Sequence, residues 1–346
     1  MKFLKFALLI SLTFLFGCNS GDKNTDFDKE PMLKNIAYNL AIPAYQESLN
    51  NFEKLKQSFN DFQQKANSIA DLRSSWNTAS ISWAKTAPYR FGPIDDLLIE
   101  NNFYYFPVDT TKIQSAIANY NQEKGFISSL GSNVQGLGAI EFVLFTNETL
   151  NDNQLKFILM LSNQLSELNQ EVLTQWENNY AEEFSKNTGS GINSSISKLT
   201  NQWIEMADYI KGDEVGRPAG KTVGVEKNIY NLQAPYSQTS LAIIEAKLLA
   251  LQQSFNGGEK EGVDDYLKNL NIKVSDNLPL NEKINNQINT VLARIDSQES
   301  LAKMITESSK QVDQIYLESL NLGILLKTEL MGQLGLVTTF SDGDGD

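Results

Sequence analysis

The stretch Gly136-Leu137-Gly138-Ala139-Ile140-Glu141-Phe142-Val143-Leu144-Phe145 decides how this chain is read. It is apolar at nearly every position and lacks the strict alternation of a half-buried strand, so it reads as a buried helix. Two glycines at its entry permit a tight turn and a close backbone approach. Glu141 is the one carboxylate among these hydrophobic residues, and burying it as an ion is costly unless something compensates the charge. Either it has a structural partner, such as an Arg or a helix end, or it forms the floor of a binding or catalytic site.

Helical periodicity continues on both sides of this stretch. Leu40, Tyr45, Leu49, Phe52, Leu55, Phe59 and Phe62 recur at spacings near one turn, with Pro43 expected to kink or restart the helix. A second helix is expected over 68–86, carrying Trp76 and Trp83 on one face and stopped near Pro88. Asp109 is placed to cap a helix that starts at Thr110. Residues 154–184 step by three or four through Leu155, Ile158, Leu161, Leu165, Leu168, Val172, Trp176, Tyr180 and Phe184, a packing pattern with no Pro or Gly inside it. Lys186-Asn187-Thr188-Gly189-Ser190-Gly191 is a flexible break, read as the domain boundary or else as a long loop within one elongated bundle. Helical pattern resumes from Ile192 to Ile210. An irregular loop follows, with Arg217 and Lys221 flanking Pro218-Ala219-Gly220; it suits either an anion or plain solvation. Helices marked by Ile284, Ile288, Val291 and Ile295, and then by Leu301, Ile305, Val312, Ile315 and Leu325, close the chain. The expected fold is all-α: two packed helical bundles over 31–186 and 192–340, arranged as a pseudo-repeat with a cleft between them.

Several separate motifs resemble the imelysin family. Gly136 and Glu141 stand in register with its Gly-x-His-x-x-Glu signature, with Gly138 at the His position. The Trp-containing helix, Phe91-Gly92-Pro93 and Phe106-Pro107-Val108-Asp109 are similar to the family's first half. Val225-Glu226, Ala234-Pro235-Tyr236-Ser237-Gln238-Thr239-Ser240-Leu241, Leu248 to Phe255 with Gly257-Gly258, and Gly262 to Leu267 are similar to its second. The resemblance implies a cell-envelope protein linked to iron uptake, with a peptidase label attached to the His–Glu pair. This chain contains no histidine at all. Imidazole and carboxylate three residues apart on a helix can share a metal or a water; with Gly138 in place of His, the nitrogen ligand and the base near neutral pH are both missing. One carboxylate does not make a zinc peptidase site.

The candidate cleft residues are therefore Glu141, Gly138, Arg90, Trp83, Ser237 and Ser240. Arg90 is expected either to pair with Glu141 or to clamp an anionic ligand. Ser237 or Ser240 is a good N-cap beside Pro235, and neither has a histidine base to activate it as a nucleophile. The leading functional reading is a non-enzymatic binding protein for iron, a metal complex or another ligand. Oxygen donors, Glu141 foremost, favour a hard cation such as iron. A metallopeptidase with an altered site and a scaffold that has lost the site are the alternatives.

The N-terminus sets the compartment. Lys2 and Lys5 precede an apolar run from Phe6 to Phe16 that is too short to span a bilayer. Leu15-Phe16-Gly17-Cys18 resembles a bacterial lipoprotein cleavage box, which makes residues 1–18 a signal ending at a lipidated Cys18 and residues 19–30 a tether. As the only cysteine, Cys18 excludes a disulfide within the chain. The expected location is the cell envelope, at the outer membrane and held by lipid. The formal charge of −13, which becomes −15 once Lys2 and Lys5 are removed, argues against nucleic acid as a partner. The end, Asp342-Gly343-Asp344-Gly345-Asp346, resembles the start of a calcium loop without its later ligands, and reads as a solvated acidic tail over 341–346.

Overall fold

The computed structural model describes residues 27–120, 125–274, 277–296 and 299–339. Cys18, most of the tether and the acidic tail lie outside the described residues. Regular secondary structure among the described residues is helical, apart from a single isolated bridge between Lys273 and Pro279.

In the first half, the helix Ile42–Gln63 packs between Ile69–Ala84 and Asp152–Gln175, and Gly136–Thr146 lies across the latter two. Ser68 starts the second of these helices with a reciprocal capping box to Asp71. Asp109 caps Thr110–Ala118 by accepting from the Lys112 amide at 3.0 Å. The first helix begins at Lys29, two residues before Pro31, with Asp28 accepting from the Glu30 amide. Pro43 does restart the helix: a π-helical turn, Ile36–Ala41, precedes it, and the Ile42 amide reaches back to the Ala37 carbonyl. The long helix of residues 154–184 carries a second π turn, Trp176–Tyr180. The extra residue there turns Trp176 and Phe184 onto the Phe91 ring, at 5.7 and 5.5 Å between centroids.

In the second half, Ser309–Ile324 packs between Ser195–Tyr209 and Leu280–Ile295, and Ser240–Asn256 lies against Leu280–Ile295. The seam between the halves forms where Ser240–Asn256 meets Ile69–Ala84, and where that helix and Ser195–Tyr209 both meet the short turn Ala87–Tyr89. The buried apolar residues of both halves make one continuous core, with Trp76, Trp83, Trp176 and Trp203 among its largest side chains. At about 25 cal/mol per Å² of apolar surface, such burial is the main force holding the halves together.

Candidate functional site

The helix Gly136–Thr146 is held rigidly at both ends. Gly136 sits at φ +65°, where an added Cβ would stand 2.4 Å from the Phe103 carbonyl oxygen, so only glycine fits. The Trp76 indole donates to the Leu137 carbonyl at 2.9 Å. At the other end, Arg73 donates to the carbonyls of Leu144 and Asn147, as a cation at a helix C-terminus should.

Glu141 is 1% exposed on this helix. Its partner is neither an arginine nor the end of its own helix. One carboxylate oxygen accepts from two backbone amides of the other half, Tyr236 at 3.0 Å and Ser237 at 2.7 Å. Burial pushes the carboxyl up to about 7 against the pull of those amides and of the Ser237 hydroxyl. Ser237 thus meets Glu141 through its backbone as well, while its hydroxyl also pairs with that of Thr239. The N-cap expected of Ser237 or Ser240 falls instead to Thr239, which makes no side-chain cap bond; Ser240 is the first helical residue and its hydroxyl turns back to the Ala234 carbonyl.

Gly138 has no room for a side chain. A Cβ there would lie 2.8 Å from the Tyr105 carbonyl oxygen and 2.8 Å from a Val108 methyl. The segment 104–108 therefore occupies the space that an imidazole would need. The metal of the Gly-x-His-x-x-Glu signature does not fit these residues: the nitrogen ligand has no place, and one oxygen of Glu141 is committed to two amides. Among the described residues, no group of three or more Asp, Glu, His or Cys is arranged to hold a metal ion.

Arg90 is not beside Glu141. Its guanidinium lies 4.2 Å above the Trp83 ring, and Trp83 stacks in turn on Phe103 at 4.0 Å. All three nitrogens are engaged: Nε with the Thr86 hydroxyl, Nη2 with the Trp83 carbonyl and Nη1 with Glu100 at 3.2 Å. The pairing expected with Glu141 is thus replaced by one with Glu100, because Thr86 and Trp83 fix the fork locally.

Arg90 instead forms one wall of a cavity of about 220 Å³ in the seam. The first half supplies Arg90, Glu100, Asn101 and Tyr104, and the second supplies Gln202, Glu205, Tyr209, Gln233 and Lys247. The Tyr104 hydroxyl donates to the Gln233 carbonyl at 2.6 Å and so ties the halves together. Lys247, 2% exposed, is ion-paired with the equally buried Glu214 and donates to the Gln233 side chain at 3.1 Å. Burial lowers its ammonium against the raising pull of Glu214. Glu214 is carried on a π-helical turn, Ile210–Gly216, which swings it under the Ser240–Asn256 helix. Glu205 stands exposed at the mouth, with the buried side of its carboxyl facing the cavity; the water lost on that side, with Glu100 and Asp95, pushes it up, Arg90 opposing.

Sequence reasoning missed Lys247, Glu214, Glu205, Gln233 and Tyr209. Lys247 carried a usable signal, since it falls on the apolar face set by Ile243, Ile244 and Leu251 just as Glu141 interrupts its own. The loop cations Arg217 and Lys221 are paired locally with Asp213 and Asp313. Glu226 is exposed.

Fold and site together define an all-helical protein of two joined bundles, with a polar cavity at the seam and a buried carboxylate near it. The family model described as Imelysin matches residues 41–319, and the chain belongs to the imelysin family. An imelysin-like protein from Psychrobacter arcticum 273-4 shares the fold at TM-score 0.76 and 20% identity, over 91% of this chain and 99% of that one. A structure described as an iron-regulated protein A precursor, from Parabacteroides distasonis ATCC 8503, matches at TM-score 0.70 and 16% identity over 88% and 95%. The Iron-regulated protein A of Synechococcus elongatus is 25% identical over 142 residues, 40% of this chain. That match spans 38% of the cyanobacterial protein's own length.

Proposed function

We propose that this protein is a non-enzymatic, lipid-anchored binding protein of the cell envelope that serves iron acquisition. The observation that carries the reading is the seam cavity, where the Lys247–Glu214 pair is buried at the junction of the halves. Such a pair rarely adds stability over apolar residues of the same size, so its presence in a cavity wall suits a binding role. The names of the Synechococcus and Parabacteroides relatives refer to iron regulation, which supports iron as the element concerned. A hard cation or a metal complex is cargo in this reading.

Peptidase chemistry has little support. Glu141 is held by two amides, and position 138 has no space for a ligand or base. Protein purified without a polyhistidine tag, which would add the absent imidazoles, tests the reading directly. Titration with ferric complexes followed by elemental analysis should show bound iron. Chelator-sensitive cleavage of a protein substrate, lost in Glu141→Gln, would overturn it. The packing of Tyr105 and Val108 around Gly138 also suits a scaffold that has lost the family site. Absence of binding by every iron complex and small ligand tried would favour that alternative.

A further inference from the structure

The charged groups that line the seam cavity are almost all engaged with one another. The three nitrogens of Arg90 face Thr86, Trp83 and Glu100. Lys247 is held by Glu214 and Gln233. Both cations are thereby neutralised from within, and an anionic ligand would find no free positive charge. Glu205 is different: among the described residues it has no hydrogen bond and no ion pair, and it stands at the mouth. The Tyr209 ring lines the same cavity, but it is already engaged: the Lys247 ammonium lies 5.4 Å from its centroid and Phe106 rests edge-on against it at 5.7 Å. At about 220 Å³ the cavity holds roughly seven waters, fewer than a whole drug-sized ligand would displace. It is the size of one arm of a larger molecule.

Resting on the reading of this cavity as the binding site, we propose that it takes the primary ammonium arm of a larger ligand, with Glu205 as the counter-charge. A carboxylate recognises an ammonium by a charge-assisted hydrogen bond, and Glu205 is the carboxylate in this cavity with no partner of its own among the described residues. The groups acting on Glu205 are Glu100, Asp95 and Arg90 from the first half, and Lys247, paired with Glu214, lines the same cavity from the second. Burial pushes the Tyr104 and Tyr209 hydroxyls upward and leaves them neutral. Glu205, at about 7, and Asp95, at about 6, ionise between pH 5.5 and 8, as does Glu141 against its two amides, so ammonium binding should tighten across that window and Glu205→Gln should remove the part owed to Glu205.

Calorimetry on the untagged protein tests this with two probes. The first is n-pentylammonium, which contains no iron. The second is ferrioxamine B, a ferric complex with a free pentylammonium arm, compared with its N-acetylated form. Ferrioxamine B should bind at least tenfold tighter than the acetylated complex. Glu205→Gln, confirmed folded by its melting temperature, should bring it down to the acetylated level. Equal binding of the two complexes, or tighter binding of anionic ferric citrate, would overturn the ammonium assignment and leave the iron reading standing. Glu205-dependent binding of n-pentylammonium without binding of any ferric complex would support the ammonium assignment and count against iron. If n-pentylammonium binds neither wild type nor variant, or binds both alike, the assignment is wrong.

Discussion

Glu141, Lys247 and Glu214 are all buried near the seam, and the protein treats them differently. Glu141 is compensated by backbone amides, Lys247 by an opposite charge. Because the Glu141 carboxyl rises from 4.5 to about 7 on folding, the native state keeps a proton that the unfolded chain releases between those values. Stability therefore falls as pH rises through that window, by on the order of 3 kcal/mol in all. Glu141→Gln retains an oxygen for the two amides and removes this penalty. Urea unfolding should show the variant more stable than wild type by about 1–3 kcal/mol at pH 8, with the gain disappearing below pH 4.5. For Lys247→Met the sign reverses, since Glu214 is left buried and unpaired, at a cost of about 3–5 kcal/mol. The double variant Lys247→Met/Glu214→Leu should recover most of that loss in the same assay. Glu141 was legible as a buried carboxylate because it interrupts an apolar run. Its partners were not, since they are main-chain groups 95 and 96 residues away.

At the scale of the element, the position that departs from the family signature is explained by its neighbours. Gly138 packs under the Tyr105 carbonyl and the Val108 side chain, so even one methyl group must push backbone aside. Gly138→Ala should lower stability by about 1–3 kcal/mol, the usual cost of overpacking. Gly138→His should lose more and gain no measurable zinc affinity by calorimetry; a folded variant that binds zinc would show that the segment 104–108 yields easily. Helix boundaries were largely readable, because caps such as Ser68 and Asp109 and the break at Pro43 act through nearby residues. The π turns were not readable. A widened turn repays its strain only through what it packs against, here the Phe91 ring for Trp176–Tyr180 and the Lys247 ammonium for Ile210–Gly216.

For the whole molecule, the seam joins the halves into one core, and the cavity is a consequence of that joining. Neither half contains the site alone, as Arg90 and Glu100 come from one and Glu205 and Lys247 from the other. Attachment to the membrane is a separate matter. No helix among the described residues is long and apolar enough to cross a bilayer, and the proposed anchor is lipid on Cys18. Cys18→Ser should move the protein from the membrane fraction to the soluble one, and mass spectrometry of the wild type should find acyl chains. A fully membrane-bound variant, with no lipid on the wild type, would refute the anchor.

The sequence by itself determined the all-helical class, the family and the special standing of Glu141. Each rests on local periodicity, on short motifs or on the complete absence of histidine. Only the tertiary structure decided that Arg90 belongs to Glu100, that Gly138 is enclosed by backbone, and that Lys247 and Glu214 meet beneath the seam. These depend on contacts between residues distant in sequence, and a charge in an apolar run shows that some partner is required without showing which one the fold brings to it.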